Sequence, residues 1–272
     1  AFDLEIPVHD EALWNSRAVS RALHEALTVL TGDKWQLRFV QRKVWAEQPR
    51  QSDLPLPANV SSVIPYSDGL DSRSVAGLVE AQHSKKLMRV RLGSSRLGGG
   101  QKNKREPFAL LPYKVSYKPY GGRENSGRSR GFRFAVLSGI AAFMAKASEV
   151  TVSESGQGAI GPTLVTVGQG YDDYRNHPVF TRRMEALFAA LFDYRLEYKF
   201  PRLWNTKGET LAAYLNLAGS SAEWKDTWSC WQTNQHSSVD GVKRQCGICA
   251  ACMLRRLSVH SAGEVEAPDT YV

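Results

Sequence analysis

The chain has 272 residues, 42% hydrophobic and 23% charged, which suffices for one sizeable core with room for an appendage. No apolar run approaches the roughly 20 residues that cross a bilayer, and no secretory pattern opens the chain, whose first residue is Ala rather than Met, as in a processed protein or a piece of a longer one. A formal charge of +8 and a pI near 9.3 favour anionic partners, nucleotide phosphates as much as nucleic acid.

An extended piece (residues 3–7), a helix (10–30) and a strand (35–40) come first, with Ala12, Val19, Leu23, Ala26, Leu27 and Leu30 on one helical stripe. A connector over 46–61 follows, marked by Pro49, Pro55 and Pro57. From residue 62 strands and helices alternate: strand 62–66, helix 72–82, strand 87–92, then a loop over 93–104 that combines Gly98, Gly99 and Gly100 with Arg96, Lys102 and Lys104. A strand at 113–118 leads through a basic turn (Arg123, Arg128, Arg130) into an apolar helix at 132–147, of which 135–147 is the most apolar run in the chain and reads as buried. Strand 149–153, helix 179–194 behind Pro178, an extended piece at 198–201 and helix 209–217 complete the series. Such alternation predicts an α/β, Rossmann-like parallel sheet with helices on both faces. The expected organisation is an amino-terminal α+β unit (1–45), the connector (46–61), the α/β domain (62–225), a metal-binding knuckle (226–260) and a tail (261–272).

The turn between strand 62–66 and the next helix reads Ser67-Asp68-Gly69-Leu70-Asp71-Ser72. Free N–H groups in a first helical turn, together with the helix dipole, make such a turn an anion site, and a glycine lets a phosphate approach the backbone. Ser67 and Ser72 add hydroxyl donors. Asp71 beside a phosphate calls for a bridging Mg²⁺ or for a capping role on the helix's own N–H groups. On spacing alone a generic Asp-Gly turn is the competing reading. The hexapeptide resembles the Ser-Gly-Gly-x-Asp-Ser signature of the PP-loop ATP pyrophosphatases, with Asp68 in place of the first glycine. That resemblance implies an adenine nucleotide alpha hydrolase-like fold and ATP held by residues 67–72, with Gly93 and Arg128 as further nucleotide contacts and Asp71 as a catalytic carboxylate.

All four cysteines lie close together: Cys230, then Cys246, Cys249 and Cys252 with two residues between neighbours. Clustered thiols point to a metal in a reducing, cytoplasmic setting rather than to a disulfide framework. Four thiolates with Gly247 in the turn suit a closed, structural Zn²⁺ site, with Fe–S ligation or redox-active thiols as alternatives. Thr227-Trp228-Ser229-Cys230, the run from Cys246 to Arg255, and Arg130-Gly131-Phe132-Arg133-Phe134 together resemble the 7-cyano-7-deazaguanine synthase (QueC) family, across residues 63–257. Glu154-Ser155-Gly156-Gln157-Gly158, Tyr174-Arg175-Asn176-His177-Pro178 and the amino-terminal unit look more like QueC-like proteins encoded in anti-phage operons.

The resemblance implies a ligase that uses ATP and Mg²⁺ to adenylate 7-carboxy-7-deazaguanine for attack by an amine, either ammonia or the amino terminus of a partner protein. Arg130 is then the residue that meets developing charge, and Arg130, Glu154, Arg175 and His177 face the substrate. As bare residues, Arg130 and Arg128 also read as surface arginines, Glu154 as a solvated loop carboxylate and His177 as a helix cap. Trp228 and Trp231 read as packing around the knuckle. A homodimer is compatible with this reading and a membrane is not expected. The competing functions are queuosine-type nitrile synthesis, tRNA modification by a PP-loop enzyme, and a scaffold that keeps the fold without activity.

Overall fold

The computed structural model describes residues 1–43, 56–57, 59–67, 69–83, 87–93, 109–112, 128–164, 171–217, 222–231 and 238–272. The strand expected at 113–118, most of the connector, the basic loop after Gly93, Asp68, Arg123 and His236 lie outside these residues.

The amino-terminal unit is a βαβ crossover. Strand β1 (Phe2–Val8) and strand β2 (Trp35–Gln41) pair in parallel, Phe2 opposite Trp35 and Val8 opposite Gln41. One helix was expected between them, and two occur: α1 (Glu11–Asn15) and α2 (Arg17–Thr31). Ser16 divides them because its extended backbone (ψ 144°) breaks the first helix while its hydroxyl accepts from the Val19 N–H at 3.4 Å and caps the second. Helix α2 stops at Gly32, whose φ of +70° supplies the left-handed cap. Of the expected stripe, Val19, Leu23, Ala26 and Leu30 are buried on α2 and join the main core, Leu27 packs against it half-buried, and Ala12 lies exposed on α1.

The central sheet has the order β5-β4-β3-β6-β7, parallel throughout: β3 (Ser62–Pro65), β4 (Leu87–Gly93), β5 (Ala109–Pro112), β6 (Glu149–Thr151) and β7 (Glu197–Lys199). Period-two alternation in β3 sends Val63 to one face and Ile64 to the other, and both are fully buried. Beneath Val63 lie α2, α4 (Arg128–Met144) and α7 (Pro178–Phe192), which share one core with the amino-terminal unit. The opposite face carries α3 (Leu70–His83), which packs on α8 (Lys207–Leu215), itself packed on α9 (Ala250–Ser261). Two short helices, α5 (Gly156–Ala159) and α6 (Gly161–Leu164), follow β6. A hairpin of β8 (Ser238–Val239) and β9 (Val242–Lys243) precedes α9 and turns on Asp240 and Gly241, both at positive φ. Among the described residues no helix is long and apolar enough to cross a membrane.

The chain builds outward from β3 through β4 to β5, then returns to lay β6 on the other side of β3. The strand order therefore reverses between β3 and β6. In open parallel sheets the crevice at that reversal, beyond the carboxyl ends of the strands, is where ligands bind.

Candidate active site and metal centre

The Ser67–Ser72 turn leaves β3 at this reversal. Ser67 Oγ accepts from the Gly69 N–H at 3.2 Å and lies 2.9 Å from Ser72 Oγ, which in turn is 3.4 Å from Ser153 Oγ at the end of β6. Ser153 Oγ donates to the Pro65 carbonyl at 3.4 Å, so three hydroxyls tie the turn to both strands. A Cβ on Gly69 would sit 3.1 Å from Ser67 Oγ, which makes the glycine part of this close turn.

Asp71 has a partner that the turn alone does not announce. Its Oδ2 pairs with Lys207 Nζ at the first position of α8, both side chains being largely buried. Its Oδ1 is buried and, among the described residues, has no hydrogen-bond partner. Burial opposes the charge on Lys207, but the Asp71 and Glu154 carboxylates outweigh it and raise the lysine pKa. Leu70 differs from its expected nucleotide contact: its side chain is buried against Leu78, Leu211 and Trp224, leaving only its backbone to the loop. Gly93 ends β4 opposite Pro112, and of Arg128 only the backbone is described, at the start of α4.

A cavity of about 280 Å³ opens beside the turn, on the α4 and α7 side of the sheet. Ser67, Ser72, Ser153, Glu154, Arg130, Arg175 and Asn176 form its polar wall, and Phe134, Val150, Val152 and Tyr198 its apolar wall. Arg130 stands in the first turn of α4, which holds no acidic residue. A cation there works against the helix dipole and is favoured when an anion sits nearby. Gly131, next to it, admits the backbone of Arg175: a Cβ would be 2.7 Å from the Arg175 carbonyl oxygen. The Arg175 guanidinium is held by Asp173, its Nε 2.8 and 2.7 Å from the two carboxylate oxygens.

Glu154 follows β6 and receives a hydrogen bond from Asn176 Nδ2 at 3.2 Å. Its pKa is pushed up to about 7, chiefly by burial and then by the Asp71 carboxylate, against the pull of Lys207, Arg175 and Arg130. Space for the carboxylate comes from Gly158, where a Cβ would lie 2.0 Å from Glu154 Oε2. Ser67, Ser72, Arg130, Glu154 and Arg175 thus face one cavity. His177 does not: it caps α7, its Nδ1 accepting from the Val179 N–H at 3.1 Å, and burial lowers its pKa so that the neutral, accepting form is kept. Trp231, expected to pack on the knuckle, lines the cavity with 69% of its surface exposed. Trp228 does pack there, its Nε1 donating to the Cys230 carbonyl at 3.0 Å.

Lys207 and Asn176 escaped the sequence reading. A signal for the first was present: Thr206 and Glu209 form a capping box that places Lys207, a cation, at the positive end of a helix. Nothing local marks Asn176 as the partner of Glu154.

The four cysteine sulfurs lie within 4.8 Å of one another, the one such group of metal-ligand atoms among the described residues. A tetrahedral zinc with bonds of about 2.3 Å sets its sulfurs about 3.8 Å apart, and Cys246 Sγ is 3.8 Å from Cys252 Sγ. Backbone N–H groups point at sulfur, Cys246 N to Cys230 Sγ at 3.3 Å and Cys249 N to Cys246 Sγ at 3.4 Å. The N–H groups of Ile248 and Cys249 lower the Cys246 pKa, as a thiolate ligand requires. Gly247 takes the positive φ of 75° that the turn needs. The donor set fits zinc, and with four thiolates committed the metal would be structural. Arg255, three residues after Cys252, is 1% exposed; it donates to the Thr227 carbonyl and hydroxyl at 3.1 and 2.6 Å and pairs with Glu266 at 2.6 Å.

A five-stranded parallel sheet, a Ser-x-Gly-x-Asp-Ser turn at its reversal and a four-cysteine group near the carboxyl end are consistent with a PP-loop fold. Residues 132–263, just under half of the chain, match the family model described as queuosine biosynthesis protein QueC; over that stretch the chain is QueC-like, which supports a PP-loop ATP-utilising enzyme related to 7-cyano-7-deazaguanine synthesis. The matched segment begins after the Ser67–Ser72 turn, which stands on its own geometry. No curated protein matches the chain.

Proposed function

We propose that the protein is an ATP-dependent ligase that adenylates the carboxylate of 7-carboxy-7-deazaguanine and passes the acyl group to an amine. The observation that carries this reading is that one cavity joins an anion-binding turn, two arginines and a poised carboxylate to a flat apolar wall. A carboxylate oxygen of the substrate attacks the α-phosphorus of ATP and pyrophosphate leaves. The amine nitrogen then attacks the acyl carbon and AMP leaves. The Gly69 N–H and the hydroxyls of Ser67 and Ser72 hold the departing pyrophosphate, while Arg130 and Arg175 balance charge growing between the carboxylate and the α-phosphate. Asp71 Oδ1, buried and unpaired among the described residues, is the atom to hold Mg²⁺, which when bound screens the phosphate charge. Glu154 and Asn176 meet the polar edge of the deazaguanine, and Phe134 and Val152 its ring face.

The acceptor we infer is the amino terminus of a partner protein in an anti-phage system. The Glu154–Gly158 and Tyr174–Pro178 segments and the amino-terminal unit support that reading over nitrile synthesis with ammonia. Incubation with ATP, Mg²⁺, 7-carboxy-7-deazaguanine and either ammonia or the candidate partner, read by mass spectrometry, separates the two. A conjugate of the partner supports the proposal, an amide or nitrile alone moves the protein to the biosynthetic reaction, and no acid-dependent AMP in any mixture ends the ligase reading.

A further inference from the structure

Residues 171–177 are irregular, yet they carry Arg175 and Asn176 to the cavity wall. Their anchorage begins on the amino-terminal unit. The Tyr171 ring lies on Gly32, so close that a Cβ there would be 2.4 Å from Tyr171 Cδ2, and the Tyr171 hydroxyl donates to the Val29 carbonyl at 2.9 Å. From this seat a row of rings leads inward, Tyr171 to Tyr174 at 5.6 Å between centroids and Tyr174 to His177 at 5.2 Å. His177 closes the row by capping α7, and its N–H donates to the Tyr174 carbonyl at 3.1 Å. Arg175 and Asn176 lie between the second and third rings, Arg175 with its backbone against Gly131 and Asn176 bonded to Glu154.

We propose that the amino-terminal unit is a working part of the substrate site: it holds Tyr171, and through Tyr171 it sets the segment that presents Arg175 and Asn176 to the deazaguanine carboxylate and ring edge. Tyr171 is a positioning residue: it is not among the groups that line the cavity. Gly32 is the matching half of the device, since its positive φ and its missing Cβ are both required. The nature of the ligand rests on the ligase reading above, whereas the holding of the segment does not.

The test compares Tyr171→Phe, which loses only the hydroxyl bond, with Tyr171→Ala, which also vacates the surface of Gly32. One arm measures hydrogen exchange at the Arg175 and His177 amides, which donate to Asp173 Oδ1 and to the Tyr174 carbonyl. The other measures KM for ATP and for 7-carboxy-7-deazaguanine. Tyr171→Ala is expected to speed exchange at both amides and to raise KM for the acid about tenfold, the scale of one or two lost hydrogen bonds. KM for ATP stays within about twofold on the same scale while kcat falls as Arg175 is displaced from the developing charge, and Tyr171→Phe falls between. Unchanged exchange in Tyr171→Ala overturns the proposal, and so does an equal rise in both KM values, which is the mark of general loosening. Should the wild-type protein turn over no deazaguanine acid, the ligase reading fails while the exchange arm still decides whether the segment is held.

Discussion

Lys207 occupies the first position of α8, where the helix dipole disfavours a cation, and lies 136 residues from the carboxylate it neutralises. Removing one member of a largely buried pair leaves the other exposed to its full desolvation penalty. Lys207→Met is therefore expected to lower stability by about 2–4 kcal/mol, and Asp71→Asn in the same chain to restore part of it, read from urea midpoints. A loss in the double variant equal to the sum of the two single losses would show that the two side chains act independently. Glu154 carries the opposite balance. Its pKa rises from the usual 4.5 to about 7 in the folded protein, so the folded state holds a proton that the unfolded chain releases. Stability from this group is full below pH 4.5 and is lost as pH rises through 7. Glu154→Gln has no such charge to bury, and the variant should gain on the order of 1–2 kcal/mol over wild type at pH 8 and nothing at pH 4.5. A stability difference between variant and wild type that does not change with pH would contradict the burial of that charge.

At the scale of elements, two devices of the site were plain in the sequence because each is local. The Ser67–Ser72 turn sits at a strand end followed by an amphipathic helix, and three of the four cysteines fall within the short run from Cys246 to Cys252, which includes Gly247. Elements whose limits are set by single hydrogen bonds were harder. The break at Ser16 and the start of α8 at Lys207 follow from side-chain caps, and hairpin β8–β9, two residues per strand, offers no periodicity beyond its Asp240-Gly241 turn. Contacts between residues distant in the sequence, Asp71 with Lys207 and Glu154 with Asn176, leave no trace in local pattern. Helix α5 tests how far such contacts serve binding. Gly158→Ala would set its Cβ 2.0 Å from Glu154 Oε2, the free end of a flexible side chain, which can swing away and leave Asn176. The expected result is a KM for the deazaguanine acid raised about fivefold to tenfold with little change in Tm. A fall in Tm without a change in KM would mean that the glycine serves packing alone.

At the scale of the molecule, the cysteine group and the Ser67–Ser72 turn are neighbours although they are far apart in the sequence. The Trp228 carbonyl lies 3.9 Å from where a Gly69 Cβ would be, and Trp231 reaches the cavity from one residue beyond Cys230. The carboxy-terminal residues close over the same region: Gln245 bonds with Thr270 and Val272 through its backbone and with the Ser229 and Cys230 N–H groups through its side chain. Stripping zinc from the four thiolates should therefore weaken ATP binding as well as the knuckle. Chelation is expected to shift tryptophan emission and to raise the Kd for ATP about tenfold or more, the scale of a disordered binding segment. An unchanged Kd would confine the metal to local folding.

The defining step of the proposed reaction is cleavage of ATP between its α- and β-phosphates in response to a deazaguanine carboxylate. Exchange of labelled pyrophosphate into ATP, measured with Mg²⁺ and without any amine, reads that step alone. The geometry predicts exchange that requires 7-carboxy-7-deazaguanine and is lost in Arg130→Ala and Ser72→Ala. Exchange absent with the acid present, or present at the same rate without it, would contradict the assignment of this cavity to carboxylate adenylation.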